Sequence, residues 1–212
     1  EPLALPLAAD ATYWTDVFSF GVAEASLERV LENFMDVAHP PFVHPGLLNA
    51  DEGRQHIRVR VAKYEGDYGT GIEGDYLGAK LIEASLFMRL FADKRAEEIV
   101  HRERFLAPTH HQLEFKFGDA THALSTQLCT PEAEGRVRLH IVCHLKLRRL
   151  PHSLAAGPFR MLLKKLITQD LATLRVQERH IEALGSEAYG SSKLDTFGLR
   201  MLRFLKHLEE GK

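Results

Sequence analysis

The sequence predicts an α+β fold in which an antiparallel sheet is followed by long C-terminal helices. Three observations carry that expectation. In the middle of the chain, apolar and polar residues alternate in successive segments. The clearest is Val137, Leu139, Ile141, Cys143 and Leu145 set against Arg136, Arg138, His140 and Lys146. Such segments joined by short turns pair antiparallel and bury one face. After Pro151 the apolar spacing becomes helical through Phe159, Leu162, Leu163, Leu166, Ile167, Leu171 and Leu174. Ahead of the sheet, Leu27, Val30, Leu31 and Phe34 mark one more helix at the same spacing.

Composition bounds the rest. A chain of 212 residues, 45% hydrophobic and 26% charged, suits one soluble globular domain with a full core. A formal charge of −2 gives no electrostatic reason to expect nucleic acid or an acidic membrane. There is no apolar run long enough to span a membrane and no signal-peptide pattern, so no membrane span and a cytoplasmic location are expected. Cys129 and Cys143 sit at unequal distances from a turn at Pro131-Glu132-Ala133-Glu134-Gly135. That offset predicts two buried, reduced thiols rather than a local disulfide. No CxxC or paired Cys and His motif is present for zinc or an iron–sulfur cluster.

Residues 1–212 are expected to form a single domain. Its lead-in segment, 1–25, begins as a surface strap and holds a short strand candidate around Phe18, Phe20 and Val22. Residues 26–44 form a helix and turn, with Ser26 as N-cap and the helix closing near His39 because Pro40 and Pro41 stop it. Residues 54–150 are mainly sheet, with strands around Ile57–Val61, Leu81–Phe91, Glu98–Leu106, Gln112–Phe117, Ala123–Thr130 and Arg136–Arg148. Within them, Gly69-Thr70-Gly71-Ile72-Glu73-Gly74 is a lone GxGxxG with no helix after it. It reads as a mobile loop over a pocket rather than a nucleotide site. Residues 158–212 are helical, with Pro158 as a first helical residue, Gly185 as a stop, and a final helix through Phe197, Leu202, Leu205 and Leu208.

The chemistry gathers at Asn33-Phe34-Met35-Asp36-Val37-Ala38-His39-Pro40-Pro41-Phe42-Val43-His44. On a straight helix His39 and His44 would point roughly 140° apart. A proline corner between them lets His44 swing back, which starts a metal site. Asp36 lies three residues before His39 and is expected beside it on the helix. Far along the chain, Asp170 interrupts the apolar stripe, four residues after Leu166 and four before Leu174. An ionised carboxylate there needs compensation. A salt bridge to an arginine, an exposed notch in the helix, or a metal cation would each supply it. With His39 and His44 it would complete the two-imidazole, one-carboxylate set of non-haem Fe(II) oxygenases. The other histidines, including His110-His111 in an expected turn and the pair His140 and His144, read as surface or satisfied core residues.

The spacing Asn33-x-x-Asp36-x-x-His39-x-x-x-x-His44 resembles the mononuclear-iron motif of Rieske-type aromatic-ring-hydroxylating oxygenases. The Asn-Phe-Met-Asp-Val-Ala-His wording is most similar to the branch of vanillate-type O-demethylases and pheophorbide-type oxygenases. Asp170-x6-Gln177 resembles that family's carboxylate-ligand segment, although Gln169 and Arg175 stand where relatives often carry acids. The resemblance implies a helix-grip, START-like arrangement, with the sheet wrapped around the long C-terminal helix. It implies Fe(II) on His39, His44 and Asp170 with O2 as co-substrate. Asp36 would be the bridge that carries electrons to His39 from a neighbouring subunit, and Asn33 would lie near the iron. A homo-oligomer, a trimer by resemblance, follows. Family members also carry a [2Fe-2S] Rieske domain bound by Cys-x-His and Cys-x-x-His pairs, which these residues lack. The chain therefore looks like the oxygenase half, dependent on a Rieske or ferredoxin-type electron donor elsewhere.

Two function classes follow from this. One is an oxygenase domain that hydroxylates or oxidatively demethylates an apolar, aromatic small molecule, with mono- or dioxygenation left open. The other is a non-catalytic, START-like module that encloses a hydrophobic ligand. An assembly subunit, resting on Asp36 at a subunit contact, is a third.

Overall fold

The computed structural model describes residues 3–45, 47, 58–77, 99–118, 121–147, 151–185 and 190–210. Among these residues, seven strands build one sheet: β1 (Trp14–Ala23), β2 (Arg58–Gly66), β3 (Gly69–Leu77), β4 (Val100–Leu106), β5 (His110–Phe117), β6 (Thr121–Ala133) and β7 (Arg136–Leu147). Their spatial order is β1-β7-β6-β5-β4-β3-β2, and every pairing is antiparallel. Strands β2 to β7 thus form a meander, and β1 returns to cover the edge of β7. Among the described residues, four α-helices complete the fold: α1 (Leu27–Met35), α2 (Pro40–Val43), α3 (His152–Leu184) and α4 (Thr196–Glu209). This is the α+β architecture that the alternating and helical periodicities predict.

The alternation in β7 does what its pattern requires. Val137, Leu139, Ile141 and Cys143 are buried on the face that meets the helices, where they join Val30, Leu31 and Met35 of α1. Ile167 and Leu174 of α3, with Phe197, Met201 and Leu205 of α4, close the same core. Each such side chain contributes about 1.5–3 kcal/mol by leaving water. Both cysteines are buried free thiols, with burial pushing Cys129 up to about 12. On the opposite face, Arg104 binds Glu73 at 2.6 Å and Glu114 at 2.8 Å, tying β3, β4 and β5 into a rigid wall.

Several boundaries differ from the expectations, each for a local reason. The lead-in segment is more than a strap, because Trp14–Ala23 pairs along β7 as a full strand. The Gly69–Gly74 run is strand β3, not a mobile loop. Its glycines serve packing: a Cβ on Gly71 would stand 1.8 Å from the Phe105 carbonyl oxygen, and one on Gly74 would lie 3.0 Å from the Phe197 ring. His110 and His111 open β5, the turn falling one step earlier. The long helix begins at His152, so Pro158 lies inside it rather than at its start. Gly157 precedes that proline, and a glycine removes the Cβ clash that makes the residue before proline avoid helix. Gly185 does end α3, in left-handed conformation at φ +64°. The expected strand at Leu81–Phe91, and Ile57, lie outside the described residues.

Candidate metal centre

The proline corner is built differently from its simplest reading. Helix α1 starts on Ser26, whose hydroxyl accepts from the Arg29 backbone N–H, and ends at Met35, not at His39. Asp36 takes an extended conformation, and its Oδ1 accepts the Ala38 backbone N–H at 2.7 Å. That local bond offers the backbone a turn instead of another helical residue. The prolines do not stop a helix but begin one, since Pro40 and Pro41 fill the first positions of α2, where missing N–H groups cost nothing. His39 caps α2 at its start and His44 at its end. One helical turn therefore separates the two imidazoles and returns them to the same side.

The two rings meet. Their Nε2 atoms lie 3.3 Å apart, and Asp170 from the middle of α3 reaches the same point. Asp170 Oδ1 is 3.0 Å from His44 Nε2 and 3.5 Å from His39 Nε2. Among the described residues, this is the one group of three or more His, Cys, Asp or Glu side chains with ligand atoms within 4.8 Å of one another. His44 and Asp170 are buried, and His39 is nearly so.

The far side of each ring fixes which nitrogen faces inward with a lone pair. His39 Nδ1 donates to the Asp36 carbonyl oxygen at 2.5 Å, and His44 Nδ1 donates to Gln169 Oε1 at 3.1 Å. With Nδ1 carrying the proton, Nε2 of each neutral ring is an acceptor. Burial pulls His39 below the usual histidine range despite the nearby Asp170 and Asp36 charges, so its ring is neutral. Burial acts the same way on His44, but the adjoining Asp170 carboxylate outweighs it and raises that ring. Asp170 Oδ1 nonetheless accepts no well-aligned hydrogen bond, although it is buried. Two Nε2 atoms and one carboxylate oxygen thus converge on one point, and with His44 deprotonated all three are acceptors. A set of this kind can hold a divalent cation, which would release the proton that His44 otherwise keeps.

The remaining sequence-predicted residues stand beside this point. Asn33, Asp36 and His39 line one cleft of about 520 Å³, together with Gln177 and His180 of α3. Asn33 Nδ2 is buried there without a hydrogen-bond partner. Asp36 touches His39 through its backbone carbonyl, while its carboxylate holds the turn. On the other side, one helical turn from Asp170, Leu166 lines a cavity of about 140 Å³ between α3 and the inner face of β5, β6 and β7.

Two groups escaped the sequence reading. Gln169 registers in sequence only as a departure from relatives, yet it orients His44. The second is the buried chain His101, Glu103, His111, Gln127 and Ser125 on the inner face: its histidines are satisfied core residues, one of the readings sequence allows, but their partners are not legible there. Its one legible signal is alternation, which puts Glu103 and His111 at inward positions of β4 and β5.

This fold is that of known oxygenases. The chain superposes on dicamba monooxygenase bound to 3,6-dichlorosalicylic acid with a TM-score of 0.74 at 17% identity, covering 96% of this chain and 61% of that one. It superposes on NdmA of Pseudomonas putida CBB5 with caffeine at a TM-score of 0.74 and 16% identity, covering 99% and 56%. NdmB of the same organism gives 0.67 at 17% identity, covering 94% and 51%. The chain thus spans 51% to 61% of the length of these proteins, and at such identities the likeness speaks for the fold. The family itself is shown by sequence: residues 23–211 match the profile described as the vanillate O-demethylase oxygenase C-terminal domain. This chain belongs to that family of oxygenase C-terminal domains. Among curated proteins, none matches it.

Proposed function

We propose that residues 1–212 form the single catalytic domain of a Rieske-type oxygenase, with His39, His44 and Asp170 holding Fe(II). The observation that carries this reading is the convergence of three ligand atoms in a largely buried position, each imidazole turned by its own Nδ1–H bond. When bound, Fe(II) supplies activation of O2 for hydroxylation or oxidative demethylation of an apolar substrate.

The protein's own groups do the rest. Asp36 and Gln169 hold the two rings in one orientation, so that each Nε2 faces the centre and can give its lone pair to a cation once His44 has lost its proton. Two imidazoles and a carboxylate occupy only part of a coordination sphere, and open positions are what distinguish such a set from a structural site. The apolar cavity beside Leu166 receives the substrate, one helical turn along α3 from Asp170. The cleft on the opposite side, where Asn33 and Asp36 lie, is the approach for an electron donor. Because the chain has only two cysteines, both buried in the sheet, a [2Fe-2S] cluster must come from another segment or a partner. That donor would reach Asp36 across a subunit contact in a homo-oligomer.

A hydrophobic-ligand carrier would need the cavity but not the converging acceptors. The test is iron content after anaerobic loading and desalting. Wild type retains one equivalent per chain. A His39→Ala, Asp170→Ala double variant that retains as much would overturn the proposal.

A further inference from the structure

The cavity between α3 and the sheet carries more information than its size. Its walls are apolar on nearly every side, through Leu113, Phe115, Phe117, Phe159, Leu162 and Leu166. Among the described lining residues there is no Lys, Arg, Asp or Glu. A carboxylate or ammonium group placed inside would lose its hydration with no charged partner, which costs several kcal/mol or more. The volume of about 140 Å³ is close to that of dry protein cavities known to take up a single benzene ring.

Thr121, Ser125 and His144 are the polar lining residues other than the Cys143 thiol. The His144 side chain turns to the other face of β7, where its Nδ1 meets Thr15 Oγ1 at 2.9 Å, whereas Ser125 faces inward and is tethered from behind. Ser125 Oγ accepts a hydrogen bond from Gln127 Nε2 at 3.0 Å. Gln127 Oε1 in turn accepts from His111 Nδ1 at 3.0 Å. His111 Nε2 faces the buried Glu103 Oε2 at 3.5 Å, and Glu103 Oε1 is held by His101 Nε2 at 2.9 Å. Phe34 of α1 stacks on His111 with ring centres 6.0 Å apart and planes within 2°, which fixes the imidazole from the helix side. The order of donors along this chain has a consequence at its end. Gln127 uses its N–H on Ser125, so the Ser125 oxygen is already an acceptor and its own O–H remains to be donated. At Ser125 the cavity wall therefore offers a hydrogen-bond donor and no charge.

We infer that this cavity selects a neutral, single-ring aromatic molecule carrying one acceptor oxygen, which Ser125 O–H orients. Ser125 is the contacting residue, and Gln127 and His111 act through it as positioning residues. The inference deepens the proposed function by naming a substrate class, and it rests on that reading only for the reaction. Binding itself needs no metal, so the two can fail separately.

The experiment compares isosteric probes on the metal-free full chain by calorimetric titration. Anisole and ethylbenzene differ by an ether oxygen in place of a methylene, and benzoate supplies the anion of similar size. Wild type is expected to bind anisole about fivefold tighter than ethylbenzene, the range of one net hydrogen bond, and to bind benzoate more weakly than either. Ser125→Ala should remove the anisole preference while leaving ethylbenzene affinity unchanged, which a merely structural role would not do. Gln127→Met, which keeps the serine but cuts its tether, should reduce the preference part-way. Tightest binding of benzoate, an anisole preference that survives Ser125→Ala, or no binding of any neutral probe would each overturn the inference. Iron retention measured on the same preparations reads out the metal proposal independently.

Discussion

Substituting Glu103 by glutamine removes a carboxylate that lies 2% exposed between two imidazoles. Burial alone would push Glu103 up, but the bonds and charges of His101 and His111 overcome it and hold the group at about 2, from an ordinary value of 4.5. A depressed folded value means the carboxylate stabilises the native state above pH 4.5. That contribution then disappears as pH falls from 4.5 toward 2. At about 1.4 kcal/mol per pH step, the ionised group is worth roughly 3 kcal/mol. Urea unfolding of wild type and Glu103→Gln at pH 7 and at intervals down to pH 2 measures it. Wild type should lose stability through this window faster than the variant, closing a gap of about 3 kcal/mol as Glu103 protonates. Parallel curves with a constant gap would refute the assignment of an ionised, buried Glu103 held by its histidines.

Three further outcomes follow from particular contacts. Gln169→Leu leaves His44 Nδ1 without its acceptor and should weaken metal binding by about 10–100-fold, read by competition with a chromophoric chelator. Gly71→Ala drives a Cβ into the Phe105 carbonyl and should destabilise the β3–β4 pairing by about 3 kcal/mol, at the upper end of overpacking, seen as a lowered urea midpoint. Leu31→Ala, at a fully buried position of α1 in the core, should cost about 2–5 kcal/mol in the same assay.

Much of the architecture is legible in the residues because period-two and helical spacings are one-dimensional signals. The β7 alternation, the stop at Gly185 and the Ser26 cap are all read locally and all appear in the structure. Asp170 was conspicuous for the same reason: a carboxylate on an apolar helical stripe breaks a pattern. What pattern hides is the partner of each group. Nothing near Asp36 shows that its side chain would close a turn and end α1 at Met35, so that the prolines begin α2 instead of ending α1. Nothing near Gly71 shows a neighbouring carbonyl, so its glycines suggested a loop. Gln169 and His44 are separated by 125 positions and Glu103 and His111 by a strand pairing. Contacts across such distances depend on register, which the sequence specifies only through the folded sheet.

The central claim is that His39, His44 and Asp170 hold one metal ion. Crystals grown anaerobically with Fe(II), measured on both sides of the iron absorption edge, test it most directly. The account predicts a single anomalous peak enclosed by His39 Nε2, His44 Nε2 and an Asp170 carboxylate oxygen, absent from crystals of Asp170→Ala. A fully loaded protein with no peak at that point, or with its peak at other residues, would contradict it.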